Sequence, residues 1–256
     1  MLTIHAIPAF EDNYFWVIER TKNHMALVVD PGDAEPVLYF LKEKRLKLEG
    51  ILLTHKHHDH IGGVEQLLQS HDVPVYGNKI ENISSITKFI SDGDVIRLPN
   101  WPGIQVLSVP GHTLGHVAYL IENHLFCGDT MFGAGCGRLF EGAPEQMLSS
   151  LKKITALPDD TLIYCAHEYT LKNLQFAKMI EPYNQAIQDR IEQVEQLRKR
   201  NIPSVPFTLK IEKETNPFLR CKEAAVQEYI RQHASDTPHQ DELAIFTYLR
   251  EQRNQW

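Results

Sequence analysis

The segment that decides the fold of this protein lies at residues 50–60 and reads GILLTHKHHDH. It ends an apolar run and then presents four potential metal ligands within six residues, His55, His57, Asp59 and His60. His55 and His57 are two positions apart, so they project the same way from an extended backbone. Asp59 and His60 follow after the bend and can face a second point close by. The spacing therefore favours two adjacent metal ions over one.

Three later segments each place one more potential ligand directly after a predicted strand: His112, Asp129 and His167. Loops at strand ends are where a rigid scaffold presents functional groups. Together with the first four, they make five imidazoles and two carboxylates, a set that suits two divalent ions such as zinc, iron or manganese. One carboxylate can offer an oxygen to each of two ions, and Asp129 is the natural bridging ligand because it lies between the two half-sites in chain order.

This ligand set predicts hydrolysis. It needs no cysteine, so the site need not be a closed thiolate site of the structural kind. Two ions about 3.5–4 Å apart can hold a shared hydroxide and polarise a carbonyl or phosphoryl oxygen. The G-x-S-x-G pattern of a serine nucleophile is absent from the sequence. We therefore expect a metal-dependent hydrolase of an ester, thioester, amide or phosphate.

Composition narrows the partners and the setting. The 256 residues are 43% hydrophobic and 23% charged with a net charge of −7, which argues against a nucleic-acid partner. The N-terminus has no signal-peptide pattern, and no apolar stretch approaches the roughly 20 residues of a membrane span. The four cysteines form no C-x-x-C pair, which favours the cytoplasm. No dimerisation stripe is apparent, so we expect a monomer.

The pattern of short strands and helices changes after Tyr169. Before it, strands are predicted at 14–18, 26–29, 50–53, 73–76, 95–98, 104–109, 117–121, 124–127 and 162–165. Helices are predicted in the same part at 35–46, 63–70 and 144–155. After it, helices are predicted at 171–180, 184–200, 222–233 and 239–255. We therefore expect a catalytic domain at 1–169 and a small helical domain at 170–256.

The chain resembles the metallo-β-lactamase superfamily in the order of its ligand motifs. Within it, the chain is similar to glyoxalase II, the hydroxyacylglutathione hydrolases. The motifs that carry this closer likeness are EDNY at 11–14, GDTMF at 128–132, AGCGR at 134–138, HEYT at 167–170 and NPFLR at 216–220. The resemblance implies an α+β fold, an αββα sandwich of two face-to-face sheets, with a C-terminal helical domain that binds glutathione.

The resemblance also implies the substrate and the metal pairing. The substrate would be an S-2-hydroxyacylglutathione such as S-D-lactoylglutathione, hydrolysed to glutathione and D-lactate in the second step of methylglyoxal detoxification. One ion would be held by His55, His57, His112 and Asp129. The other would be held by Asp59, His60, His167 and Asp129. Zinc is the first expectation, with iron or manganese as alternatives, and Asp59 would also orient the attacking hydroxide.

The same resemblance implies a binding site for the glutathione tail at Arg138, Phe140, Tyr169, Arg250 and Arg253. Three of these depart from the family pattern. Arg138 and Arg253 stand where lysines are expected, which keeps the charge but changes the geometry. Phe140 stands where a tyrosine is expected and lacks its hydroxyl.

Two kinds of alternative remain open at this stage. One is another hydrolase of the same fold, above all a thioesterase of broad range. The other is a non-catalytic protein that binds glutathione conjugates or metal. Metal content without turnover of any thioester would favour the second.

Overall fold

The computed structural model describes residues 1–234 and 236–256. By their internal contacts these residues form two compact units. The first unit comprises Met1–Ser108 and Thr113–Gly128, and the second comprises Val109–His112 and Asp129–Trp256. Each is described separately below.

The first unit is built on a sheet with the strand order β1-β2-β3-β4-β5-β6. The strands are β1 (Leu2–Ala9), β2 (Asn13–Arg20), β3 (Met25–Val29), β4 (Lys47–Leu52), β5 (Val75–Asn78) and β6 (Lys88–Ile90). The first pairs are antiparallel, and from β3 onward the neighbours run parallel. The carboxyl ends of β3 and β4 therefore reach the same edge of the sheet, directly before Asp30 and Thr54.

Helices connect the parallel strands of this sheet. They are α1 (Ala34–Lys44), α2 (His58–Ile61) and α3 (Val64–Leu68). Asp33 caps α1 by accepting a hydrogen bond from the backbone N–H of Glu35, and α1 ends at Arg45 in the left-handed conformation. The apolar faces of α1 and α3 pack on one face of the sheet in a cluster that includes Val17, Val28 and Ile51. This burial holds the strand that delivers the ligand segment.

A second sheet in the first unit has the order β10-β9-β8-β7. Its strands are β7 (Val95–Ile96), β8 (Ile104–Ser108), β9 (Val117–Ile121) and β10 (His124–Gly128). The hydroxyl of the buried Tyr119 on β9 donates to the carbonyl of Leu53, just beyond β4, over 2.7 Å. The backbone N–H of Val117 donates to the carbonyl of Thr54 over 3.0 Å. The two sheets of this unit therefore face each other.

The second unit begins with a hairpin and short strands. These elements are β11 (Met131–Phe132), β12 (Gly135–Cys136), α4 (Pro144–Thr155), β13 (Leu162–Cys165) and β14 (Phe207–Thr208). Antiparallel pairing joins β11 to β12 and β13 to β14. The hairpin is important for the site because it returns the chain from Asp129 to Gly137.

The rest of the second unit is helical. Its helices are α5 (Thr170–Ile180), α6 (Gln185–Lys199), α7 (Leu209–Thr215), α8 (Ala224–His233) and α9 (Glu242–Gln255). Asn184 caps α6 and Asp241 caps α9 by accepting backbone N–H groups. Buried Leu174, Ala177 and Ile187 pack α5 against α6. In the described part of the chain, no helix combines the length and apolar character that crossing a membrane requires.

The predicted elements compare well with these bounds. Strands β9 and β13 and helix α4 have the predicted ends, and α1 stops two residues early because Arg45 turns left-handed. Helix α9 begins at Glu242 and not at residue 239, because Asp241 is its cap. The elements that were not predicted are strands β1, β6, β11, β12 and β14 and helices α2 and α7.

Candidate active site

The first unit gathers four predicted ligands in the ligand loop, which we define as residues 55–60. His57 precedes the first turn of α2, and Asp59 and His60 lie within it. The Nε2 atom of His55 is 3.0 Å from Nδ1 of His57, and Nε2 of His60 is 3.4 Å from Oδ2 of Asp59. Two ligands of one tetrahedral ion, each at about 2.1 Å, are separated by roughly 3.4 Å. The spacing within the ligand loop therefore fits divalent ions.

Asp30 holds the ligand loop through hydrogen bonds to Thr54 and a contact with His60, and it was not predicted as a site residue. It is 3% exposed, and its carboxylate accepts from the backbone N–H of Thr54 at 2.7 Å and from the Thr54 hydroxyl at 2.6 Å. It also contacts Nδ1 of His60 at 2.9 Å, which places the proton on Nδ1 and leaves Nε2 as the ligand atom. Asp30, His55 and His60 could themselves hold an ion, since their ligand atoms lie within 4.8 Å of one another. The bonds to Thr54 favour a supporting role for Asp30.

Two further side chains hold the ligand loop. The carboxylate of the buried Glu81 accepts from the backbone N–H of Lys56 at 2.8 Å and from that of Gly115 at 2.7 Å. The side-chain amide of Asn13 donates to Oδ2 of Asp59 over 2.9 Å. These contacts fix the backbone and one carboxylate of the loop before any ion binds, which reduces the cost of ordering it.

The second unit brings together the other three predicted ligands. Asp129 lies between two imidazoles: its Oδ2 is 3.4 Å from Nε2 of His112, and its Oδ1 is 3.4 Å from Nε2 of His167. Nδ1 of His112 donates to the carbonyl of Arg138 over 2.7 Å, so Nε2 is its ligand atom. Each oxygen of Asp129 therefore stands at ligand spacing from a different histidine, as a bridging carboxylate requires.

The β11–β12 hairpin places Arg138 beside these ligands. The backbone N–H of Gly137 donates to the carbonyl of Thr130 over 3.1 Å, which brings the chain back to its start. A Cβ at Gly137 would lie 2.0 Å from the carbonyl oxygen of Asp129, so this approach admits only glycine.

Next to these ligands the second unit has a cavity of about 230 Å³, here called the arginine cavity. It is lined by Phe132, Cys136, Arg138, Tyr169, Asn173, Arg250, Arg253 and Asn254. Within the described part of the chain, the charged side chains of its lining are all arginines. Such a lining is suited to the carboxylates of a small anionic molecule, which guanidinium groups bind in bidentate fashion.

Two of these arginines are held in place from α9. The guanidinium of Arg250 is 6% exposed, donates to the carbonyl of Cys136 over 2.6 Å and lies 5.2 Å above the ring of Phe218. Nε of Arg253 donates to Oδ1 of Asn173 over 3.1 Å. Burial, and next the nearby charge of Arg250, lower the pKa of Arg253. An anion in the cavity would oppose both effects, because a nearby negative charge favours the charged guanidinium.

The two predicted aromatic residues occupy different positions. The ring of Tyr169 stacks on the imidazole of His167 with centroids 4.7 Å apart, and it lines the cavity. Phe140 is 59% exposed, and its ring lies 5.4 Å from the guanidinium carbon of Arg138. Phe140 is not part of the cavity lining. Four of the five residues predicted to bind glutathione therefore line one cavity.

Comparison with known proteins gives the family. The Hydroxyacylglutathione hydrolase C-terminus model matches residues 168–256, and the Metallo-beta-lactamase superfamily model matches residues 10–89 and 92–167. Hydroxyacylglutathione hydrolase of Dechloromonas aromatica is 52% identical, with 99% of each chain covered. That of Aeromonas hydrophila is 52% identical, with 98% of each chain covered. The chain belongs to the hydroxyacylglutathione hydrolase family.

Solved structures agree with this family's fold. ETHE1 from Myxococcus xanthus has a TM-score of 0.66 at 23% identity, with 98% of each chain covered. TTHA1623, in a di-iron-bound form, has a TM-score of 0.61 at 25% identity, covering 85% of this chain and 100% of that chain. The α+β metallo-β-lactamase fold and the helical C-terminal part are therefore confirmed. The protein is an enzyme of a hydrolase family with the fold of metal-binding proteins.

The second unit also contains a larger cavity, of about 580 Å³, among its C-terminal helices. Met179, Tyr183 and Tyr229 form its apolar walls, and the ion pair of Arg220 and Glu181 lies beside it. The predicted site residues lie elsewhere. Ligand spacing and charge, and not size, therefore single out the arginine cavity as the candidate site.

The residues that position the site were not predicted from the sequence. Asp30 was not singled out, although an aspartate at the carboxyl end of a parallel strand is a recognisable signal. Asn13 entered only as part of a family motif. Glu81 and Asn173 offered no signal in sequence, because each acts on a segment about 30 to 40 residues away.

Proposed function

We propose that this protein hydrolyses S-2-hydroxyacylglutathiones, including S-D-lactoylglutathione, to glutathione and a 2-hydroxy acid, D-lactate in that case. The observation that carries the proposal is the arginine cavity directly beside metal-type ligands of the same unit, with Tyr169 stacked on His167. Glutathione carries two carboxylates on its tail and sulfur at its centre, which matches an anion site adjoining a hydrolytic centre.

The proposed metal site follows the family pairing. It consists of His55, His57, Asp59, His60, His112, Asp129 and His167. The ligand spacings within each unit support it, and so does the proton placement on Nδ1 of His60 and of His112. Two divalent ions bound there would act as Lewis acids and lower the pKa of a water molecule. We propose zinc as the first candidate, with iron or manganese as alternatives; a structural relative in a di-iron-bound form supports iron.

The residues of this chain would divide the reaction between them. Asp59, held by the Asn13 amide, would orient the attacking oxygen toward the thioester carbonyl. Arg138, Arg250 and Arg253 would hold the glutathione tail, which supplies proximity. A carbon–oxygen bond forms, the carbon–sulfur bond breaks, and glutathione leaves as a thiolate. Because a thiolate is a good leaving group, strong general-acid help is not required.

Other assignments accompany this proposal. Residues 1–169 would be the catalytic domain and 170–256 the glutathione-binding domain. The enzyme would act as a monomer in the cytoplasm on a small thioester, without nucleic-acid or membrane partners. Light scattering of the purified protein tests the monomer, and fractionation of source cells tests the location.

The deciding experiment is hydrolysis of S-D-lactoylglutathione by the purified protein, followed by loss of thioester absorbance, with metal content measured on the same sample. We expect turnover with about two ions per chain. Two bound ions without turnover of this substrate would contradict the proposal, and other acyl thioesters would then be tested. Metal binding without turnover of any thioester would leave a non-catalytic binding protein.

A further inference from the structure

Loop 133–138 forms one wall of the arginine cavity, and side chains from distant helices hold its backbone. The carboxylate of Glu212 on α7 accepts from the backbone N–H of Ala134, at 2.9 and 3.1 Å from its two oxygens. The side-chain amide of Asn216 donates to the carbonyl of Gly135 over 2.9 Å, and that of Asn173 donates to the carbonyl of Gly133 over 3.0 Å. The loop is thus held at three successive residues.

Ala134 explains why the loop needs this support. Its φ is +53°, in the left-handed region that residues with a Cβ adopt at a cost. Such a conformation persists only where its surroundings hold it. The same loop contains Cys136, whose carbonyl accepts a hydrogen bond from the guanidinium of Arg250. It also contains Arg138, which lines the cavity. A change in the backbone conformation of Ala134 would therefore displace Arg138 and the carbonyl that holds Arg250.

Burying the carboxylate of Glu212 costs folding free energy. Its side chain is 2% exposed, and burial raises its pKa to about 7 in spite of the bonds from Ala134 and Asn216. Arg190 on α6 is the charge that favours its ionised form, but the hydrogen bonds of Arg190 go to Ser204 and Gln193. A neutral residue there would avoid the desolvation cost of a buried carboxylate. The carboxylate is instead joined to Asn216, which donates to both Glu212 and Gly135.

We infer that Glu212 is a positioning residue for glutathione binding: through the Ala134 amide and Asn216 it fixes loop 133–138, and with it the arginine cavity. Glu212 does not line the cavity. Its effect passes through the loop to Arg138 and to the carbonyl that holds Arg250. The inference rests on the proposed function, since it assigns the cavity to the glutathione tail.

The test compares Glu212→Gln with the matched control Glu214→Gln, two residues further along α7. Each protein is assayed with S-D-lactoylglutathione and with the D-lactoyl thioester of N-acetylcysteamine, which has the reacting group but no glutathione tail. Binding of S-methylglutathione, a thioether that cannot be hydrolysed, is measured by calorimetry. Removing a charge-assisted bond to the loop should raise KM for the glutathione thioester and Kd for the thioether about 3- to 10-fold.

The expected pattern separates positioning from general damage. In Glu212→Gln we expect kcat to stay within about twofold, the truncated thioester to be hydrolysed as in the wild type, and Glu214→Gln to match the wild type throughout. Hydrogen exchange should show faster exchange at loop 133–138 in Glu212→Gln. Equal losses on both thioesters, or an unchanged KM and Kd, would overturn the inference.

The outcome also distinguishes this inference from the proposed function. A wild-type protein that neither hydrolyses S-D-lactoylglutathione nor binds S-methylglutathione would overturn the proposed function and the glutathione role of Glu212 together. An active wild type with an unaffected Glu212→Gln variant would overturn the inference alone. Where Glu212→Gln fails to fold, Asn216→Ser is assayed in its place, because it keeps a capping oxygen for Phe218 but removes the amide donor to Gly135.

Discussion

The ligand loop and the arginine cavity are built in opposite ways. The ligand loop places four predicted ligands within six consecutive residues at the end of one strand. The cavity draws Arg138, Tyr169 and Arg250 from three segments more than 100 residues apart at the extremes. A local motif carries its geometry in its spacing, whereas a dispersed site depends on the packing that joins its parts. The five changes below test that difference, from the largest expected effect to the smallest.

Removing Asp129, the carboxylate shared by both proposed ion sites, should have the largest effect. In Asp129→Ala, both His112 and His167 lose the carboxylate at 3.4 Å. Because ligands that act as a unit fail together, we expect at least about a 1,000-fold loss of kcat/KM with loss of bound metal. Activity and metal content are measured on one sample, with the exposed Asp160→Ala as control. A fully metallated, active Asp129→Ala enzyme would refute the metal scheme.

The titration of Glu212 tests the cavity side of the comparison by its effect on the free energy of unfolding. Its pKa is about 7 in the folded protein against an ordinary value of 4.5, so the folded state binds the proton more tightly. Its contribution to stability is therefore fully present below about pH 4.5 and is lost as pH rises through about 7. Between pH 5 and pH 8, the free energy of unfolding of the wild type should fall relative to Glu212→Gln by about 3 kcal/mol.

Denaturant titration of both proteins at the two pH values measures this difference, because the groups they share cancel. Arg190 is the charged neighbour that favours ionised Glu212, and it stays protonated over this range. A difference in unfolding free energy that does not vary with pH would contradict the assignment.

Asp30→Asn tests the support beneath the ligand loop. The variant keeps the shape of the side chain but weakens the bonds to Thr54 and to Nδ1 of His60. Partners of this kind typically change metal affinity 10–100-fold, and we expect a loss of about that size. Competition with a chelator gives the affinity, with the exposed Asp72→Asn as control. Unchanged affinity would mean that the loop is positioned without Asp30.

Arg253→Gln should affect the cavity and spare the ligand loop. Loss of one guanidinium facing an anionic tail should raise KM for S-D-lactoylglutathione about 10-fold and leave hydrolysis of the truncated thioester unchanged. The exposed Arg231→Gln, on α8, controls for loss of net charge. If both thioesters suffer equally, Arg253 does not act through the tail.

Phe140→Tyr should have the smallest effect, and it is the one change of the five that we expect to lower KM. It restores the hydroxyl of the family pattern at an exposed ring beside Arg138. One additional hydrogen bond to substrate should lower KM about 3-fold. Phe89→Tyr, at another exposed phenylalanine, is the control. Should KM stay the same, position 140 lies outside the reach of the tail, in agreement with its place outside the cavity lining.

Much of the fold followed from local patterns. Helix α4 has its predicted bounds because proline at its start and a repeating apolar face mark it clearly. Helix α7 was missed because it is a short polar stretch between Pro206 and Pro217. Buried Glu212 and Asn216 tie it to loop 133–138, and these bonds are not visible in a local window. The domain boundary at 169 and 170 stays a prediction, as do the roles of the site residues.

The sequence by itself determined the family and the enzyme class, and it predicted the type of metal ligand, because a ligand motif of consecutive residues needs only a strand end and a turn to present it. The tertiary structure alone decided which side chains support those ligands. Asp30 beside His60 and Glu212 beside Ala134 join residues 30 and 78 positions apart in the chain, and the β11–β12 hairpin packs Gly137 against the backbone of Asp129. Such pairs depend on how buried elements pack, and a buried polar group must find its hydrogen-bond partner wherever the fold brings one.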